Sequence, residues 1–173
     1  MQSPVQDLHA GTGPFEVLPI MAELKLIALD AEDLSVLSAH LQDAVLQVGD
    51  LAYQRQDKRF AAIANRFDWV EAMDGSSASS DSGYTRRQAA LRFERVLDAK
   101  LNGIDLKNKG AVLSLLSLSF EPHEPPAGDV TLHFANGAAI RLSVECIEAE
   151  VRDLGPVWRA ASMPSHPDDT SNA

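Results

Sequence analysis

A chain of 173 residues with 45% hydrophobic content is long enough to bury one core without cross-links. No apolar run in it approaches the roughly 20 residues that a membrane-spanning helix needs. Its net charge of −10 disfavours nucleic acid and anionic lipid as partners, and its single cysteine, Cys146, cannot form an internal disulfide, which fits a cytoplasmic location.

Residues 1–22 carry Pro4, Gly11, Gly13, Pro14 and Pro19 and little apolar pattern. They lack the basic start and apolar core of a secretory signal, so a disordered tail is expected, with Met21 as an alternative start. Residues 24–29 read as a strand. Asp30 then suits a helix N-cap, and Glu32 and Asp33 sit in the first turn, where the helix dipole favours acids. Leu34, Leu37, Leu41 and Ala44 recur at helical spacing and predict a helix over 31–44.

Residues 45–53 and 59–69 read as two strands of a hairpin, the first with a bulge at Gly49-Asp50. The run Asp74-Gly-Ser-Ser-Ala-Ser-Ser-Asp-Ser-Gly83 cannot pack. Residues 70–84 are therefore expected as a mobile loop inside a single domain spanning 23–160. Residues 86–100 alternate as one long strand whose apolar face is broken by Arg95, at a twist or bulge or at the end of burial. Residues 111–121 are nearly continuously apolar and predict a central strand covered by a helix. Pro122, Pro125, Pro126 and Gly128 mark a loop.

Two alternating runs then flank Asn136-Gly137. A two-residue turn would place Leu132 beside Arg141 and mix apolar with charged on one face. A three-residue loop, 135–137, pairs Phe134 with Ala138, Leu132 with Ile140 and Val130 with Leu142, so that one face is wholly apolar. Burial selects that register, with a left-handed residue and bulge at Gly137. Residues 146–154 read as a short helix with Ile147, Val151 and Leu154 on one side, stopped by Gly155-Pro156. Trp158 would pack back on the core, and 161–173 form a second disordered tail.

Strands bracketed by helices imply an α+β fold. The expected architecture is a strongly bent antiparallel sheet, or a partly open barrel, of about six to seven strands. One helix follows the first strand, and a C-terminal helix closes one mouth, as the late helix does in a pleckstrin-like barrel.

The stretches Leu24-Lys-Leu-Ile-Ala-Leu-Asp-Ala-Glu-Asp-Leu34, Ser38-Ala-His-Leu-Gln-Asp-Ala44, Asn65-Arg-Phe-Asp-Trp69, Arg86-Arg87 and Val144-Glu-Cys-Ile-Glu148 carry a resemblance. They are similar to an uncharacterised alphaproteobacterial family, domain of unknown function number 2948. The resemblance covers roughly Leu24 to Trp158 and implies a small cytosolic bacterial protein. It brings no activity, cofactor or catalytic residue with it.

The residues themselves point away from an enzyme. His9, His40, His123, His133 and His166 show no ligand spacing, and no Cys-x-x-Cys exists, so no metal is expected. Cys146 at the start of a helix could be an activated thiol. Glu145 and Glu148 oppose that, and a buried structural cysteine is the simpler reading. Asp30, Glu32 and Asp33 are explained by capping rather than by acid-base chemistry. No nucleophile elbow, phosphate loop or dinucleotide fingerprint is present, and no cofactor is expected.

One constellation suggests binding: Asn65, Arg66, Asp68 and Trp69 with Arg86 and Arg87, at the two ends of the serine-rich loop. If their strands pair, a tryptophan lies among arginines and an acid at one rim, and both residue types are enriched at binding hot spots. Arginine forks also suit carboxylate or phosphate. The plainer alternative is a core Trp69 beside solvated arginines. Arg92, Arg95 and Arg141 would extend the positive face. The sequence thus supports a non-enzymatic binding or adaptor module with a protein partner. The alternative is a sensor or enzyme that takes a small anionic ligand in a barrel-mouth pocket.

Overall fold

The computed structural model describes residues 23–67 and 86–155. The two expected tails, the serine-rich loop, Asp68, Trp69 and Trp158 lie outside the described residues. The elements in chain order are β1 (Lys25–Ala28), α1 (Ala31–Leu41), β2 (Val45–Gln54), β3 (Arg59–Phe67), β4 (Arg86–Phe93), β5 (Val96–Asn102), β6 (Val112–Pro122), β7 (Gly128–Phe134), β8 (Ala139–Val144) and β9 (Ala149–Asp153).

All nine strands join one antiparallel sheet in the order β1-β9-β4-β3-β2-β6-β7-β8-β5. The sheet is not closed, and β1 and β5 are its edges. This corrects the expected fold class in three respects. There is no barrel and hence no barrel mouth. There are nine strands rather than six or seven. A single α-helix is present among the described residues, because the expected C-terminal helix is the strand β9.

The two extra strands have local causes. Arg95 adopts a left-handed φ of 61°, which ends β4 and sends the chain to the opposite edge of the sheet as β5. In 149–153 the buried positions are Ala149, Val151 and Asp153, a period of two. A buried aspartate at the third of them hid that alternation.

The hairpin adopts the three-residue register. Val130 faces Leu142, Leu132 faces Ile140, and Phe134 N–H donates to Ala138 O at 2.8 Å. Asn136 and Gly137 both take positive φ, 65° and 77°. Helix α1 starts as its sequence requires: Asp30 Oδ1 accepts from Asp33 N–H at 2.8 Å, and Asp33 Oδ2 accepts from Leu29 N–H at 3.1 Å. Gly49 lies within the register shift of β2.

That helix also repairs the sheet. β2 pairs with β6 only through Val45, Leu46 and Gln47. Beyond that point Leu115 N–H donates to Ala44 O at 2.8 Å, Asp43 N–H donates to Leu115 O at 2.9 Å, and Leu118 N–H donates to Ser38 Oγ at 2.9 Å. The segment of α1 and its exit thus supply partners for β6 where β2 turns away. Leu34, Leu37 and Leu41, at most 2% exposed, join Leu91, Phe93, Leu115, Leu132, Ile140 and Leu142 in one core.

Candidate functional site

Strands β3 and β4 do pair at the ends next to the serine-rich loop: Asn65 faces Gln88, Arg66 faces Arg87 and Phe67 faces Arg86. Strand alternation then divides the constellation. Arg66 and Arg87 point inward and are 4% and 6% exposed, whereas Asn65 and Arg86 lie exposed on the outer face.

Two guanidiniums directly opposed on a buried face need an anion, and β9 brings one. Asp153 is 4% exposed and accepts two hydrogen bonds of 2.7 Å from Arg66, Nε to Oδ1 and Nη2 to Oδ2. Leu24 N–H donates to Asp153 Oδ2 at 2.8 Å, and Arg87 Nη1 lies 4.0 Å from the same oxygen. Burial pushes the Asp153 carboxyl up. The hydrogen bonds from Arg66 and Leu24, with the charges of Arg66 and Arg87, outweigh burial and hold it below the usual carboxylate range. The cluster ties β3, β4, β9 and the start of β1 together.

On the outer face Arg86 makes no hydrogen bond or ion pair among the described residues. Further along β4 the positive charge is neutralised. Arg92 Nε lies 3.1 Å from Glu94 and its Nη2 lies 3.3 Å from Glu150, while Arg59 meets Glu94 at 2.8 Å. Arg95 lies 3.3 Å from Glu148. The expected extension of the rim by Arg92 and Arg95 is therefore a set of exposed ion pairs.

Arg141 sits on the other half of the sheet. On the outer face of β7, β8 and β5 one row runs Thr131, Arg141, Lys100, the next His133, Ala139, Asn102, and the third Asp129, Ser143, Asp98. An open depression of about 350 Å³ lies over the first two rows, lined by Lys100, Leu101, Asn102, Thr131, Ala139 and Arg141.

Two polar pairings on this face resemble parts of a hydrolytic triad. Ser119 Oγ lies 2.7 Å from His133 Nε2, and this is the only side-chain hydrogen bond of His133 among the described residues, so none of their carboxylates orients the ring. His123 Nε2 lies 2.9 Å from Asp129 Oδ2, and Ser143 Oγ donates to Asp129 Oδ1 at 2.9 Å. There the acid sits between serine and histidine, so the imidazole cannot accept the serine proton. Cys146 is a free, half-buried thiol. The described residues contain no group of three metal-binding side chains, and none of their helices is long and apolar enough to cross a membrane.

Asp153 and the opposition of Lys100 to Arg141 were not foreseen from the sequence. The alternation Ile147, Ala149, Val151, Asp153 was the available signal for the first; the second depends on β5 pairing with β8. The model of a family described as a protein of unknown function, DUF2948, matches residues 24–166. No curated protein and no solved structure matches the chain.

Proposed function

We propose that this chain, which belongs to the DUF2948 family of proteins of unknown function, is a non-enzymatic cytosolic binding or adaptor module. Its contact surface is the outer face at the loop ends of β3 and β4. One observation carries this reading. Strand alternation turns Arg66 and Arg87 inward to Asp153 and leaves Arg86 outward beside Asn65 and the half-buried Phe67, with no carboxylate partner among the described residues. An arginine next to an aromatic ring on a rigid strand suits a protein partner that presents an acidic side chain. Asp68 and Trp69 follow directly on β3 in the sequence and lie outside the described residues. The lone cysteine and the charge of −10 support the cytosolic assignment.

The test is a capture from native cytosol read by mass spectrometry, with wild type beside Arg86→Ala. Arg87 is left intact because it belongs to the buried cluster. The expected result is a partner retained by wild type and lost from the variant at unchanged melting temperature. Equal capture by both proteins would remove the surface from consideration.

A further inference from the structure

The described part of the sheet holds three directly opposed pairs of cations: Arg66 with Arg87, Lys25 with Arg152, and Lys100 with Arg141. Like charges directly opposite one another destabilise a sheet unless a counter-charge intervenes. In the first pair Asp153 intervenes. In the second, Arg152 lies 3.3 Å from Glu150. In the third, neither the Lys100 nor the Arg141 side chain makes a hydrogen bond or a close ion pair among the described residues, and the charge of Asp129 reaches Arg141 only from the neighbouring row.

The carboxylates of the adjoining row have other partners at shorter range. Asp98, in the next row, lies 3.3 Å from Arg55. Asp129, in the same row as Asp98, holds His123 and Ser143. An open depression on this face is lined by both members of the pair. Its remaining walls are the amide of Asn102, the hydroxyl of Thr131, the small apolar surface of Ala139 and the edge of the strand at Leu101. Its size falls in the range of small-molecule sites.

We infer that this depression binds a small organic oxyanion, with Lys100 and Arg141 holding the charged oxygens. Asn102 and Thr131 donate further hydrogen bonds, and Ala139 carries the apolar body. Arginine supplies a planar fork and lysine a point charge, a pairing that fits a phosphate ester or a carboxylate. The site is on the opposite half of the sheet from the proposed protein-binding surface, and neither depends on the other.

The test uses the full chain in amide-resolved NMR and calorimetry, at constant ionic strength set with chloride. The probes are phenyl phosphate and benzoate, which share a ring and differ in the anion; benzyl alcohol is the uncharged control. Expected are saturable shifts at Lys100, Asn102, Thr131, Ala139 and Arg141 with one or both anions and none with the alcohol. Comparing the two anions separates phosphate from carboxylate. Lys100→Ala and Arg141→Ala should each weaken binding about tenfold or more. Lys100→Glu should abolish it while raising the melting temperature of the unliganded protein, because Glu would pair with Arg141; this shows that loss of binding is not loss of fold. Absence of binding by both anions, or binding unchanged in Lys100→Glu, would overturn the inference.

Discussion

Arg66 and Asp153 lie 87 residues apart in the chain and meet on the buried face through two hydrogen bonds of 2.7 Å. Removing the acid takes away the carboxylate that holds Arg66 through both hydrogen bonds and lies 4.0 Å from Arg87, on a face where both arginines are buried. Asp153→Asn is therefore expected to lose about 3–5 kcal/mol of folding stability, as breaking one member of a buried ion cluster does. Urea unfolding monitored by circular dichroism measures it. A loss under about 1 kcal/mol would mean that the cluster is solvated or exchanges partners.

Acid should act through the same carboxyl. Asp153 is held below the ordinary aspartate range in the folded protein. Its contribution is fully present above the unfolded value of about 4 and is lost as pH falls through the lower folded value. Wild type should then lose stability more steeply than Asp153→Asn below about pH 4, and the two curves should converge toward the acid end. Parallel curves would assign the acid sensitivity to other carboxylates.

His123 and Asp129 define a second pH window. The hydrogen bond to Asp129 raises the His123 pKa above the ordinary 6.5, and the same bond lowers that of Asp129. The pair stabilises fully below the unfolded histidine value and loses this as pH rises through the raised folded value. At the acid end it fades as pH falls through the depressed Asp129 value. Proton NMR should find His123 titrating above an unstructured histidine, and Asp129→Asn should bring it down. An unchanged His123 in that variant would disprove the pairing in solution.

Ser38 offers a local test of how α1 completes the sheet. Its hydroxyl accepts the Leu118 N–H at 2.9 Å, in a part-buried setting where β2 no longer reaches β6. Ser38→Ala should cost about 1–2 kcal/mol by leaving that donor without a partner. Hydrogen exchange at the Leu118 amide should accelerate in the variant. An amide equally protected in both proteins would show that the hydroxyl is dispensable.

The sequence disclosed those parts of the fold that rest on local rules. The register across Asn136-Gly137 followed because only one pairing gathers Val130, Leu132, Phe134, Ile140 and Leu142 on one face. The start of α1 followed from Asp30 and the acids behind it. Strand β9 did not, because Ile147, Val151 and Leu154 also fit a helical spacing, and the partner that makes Asp153 an interior residue is remote in the chain. The break between β4 and β5 falls at Arg95, where the interrupted apolar face marked an irregularity but not a change of strand.

The same limits governed the candidate site. Asn65, Arg66, Arg86 and Arg87 were brought together across β3 and β4, yet Arg86 and Arg87, adjacent in sequence, serve opposite faces. Arg87 turns inward in phase with Ala89, Leu91 and Phe93, and Asp153 supplies the charge it meets there. The pairing of Lys100 with Arg141 was out of reach while 86–100 read as one strand, irregular at Arg95.

Because β9 lies between β1 and β4, the first described strand finds its only sheet partner in the last, Lys25 opposite Arg152. On the ribosome, β1 therefore waits through the synthesis of seven further strands with its backbone groups unpaired, and β4 exposes a bare edge for much of that time. Such edges invite pairing with other chains. Nascent chains halted before Ala149 should accordingly be protease-sensitive and chaperone-dependent, and protection should arrive abruptly once Asp153 has left the exit tunnel.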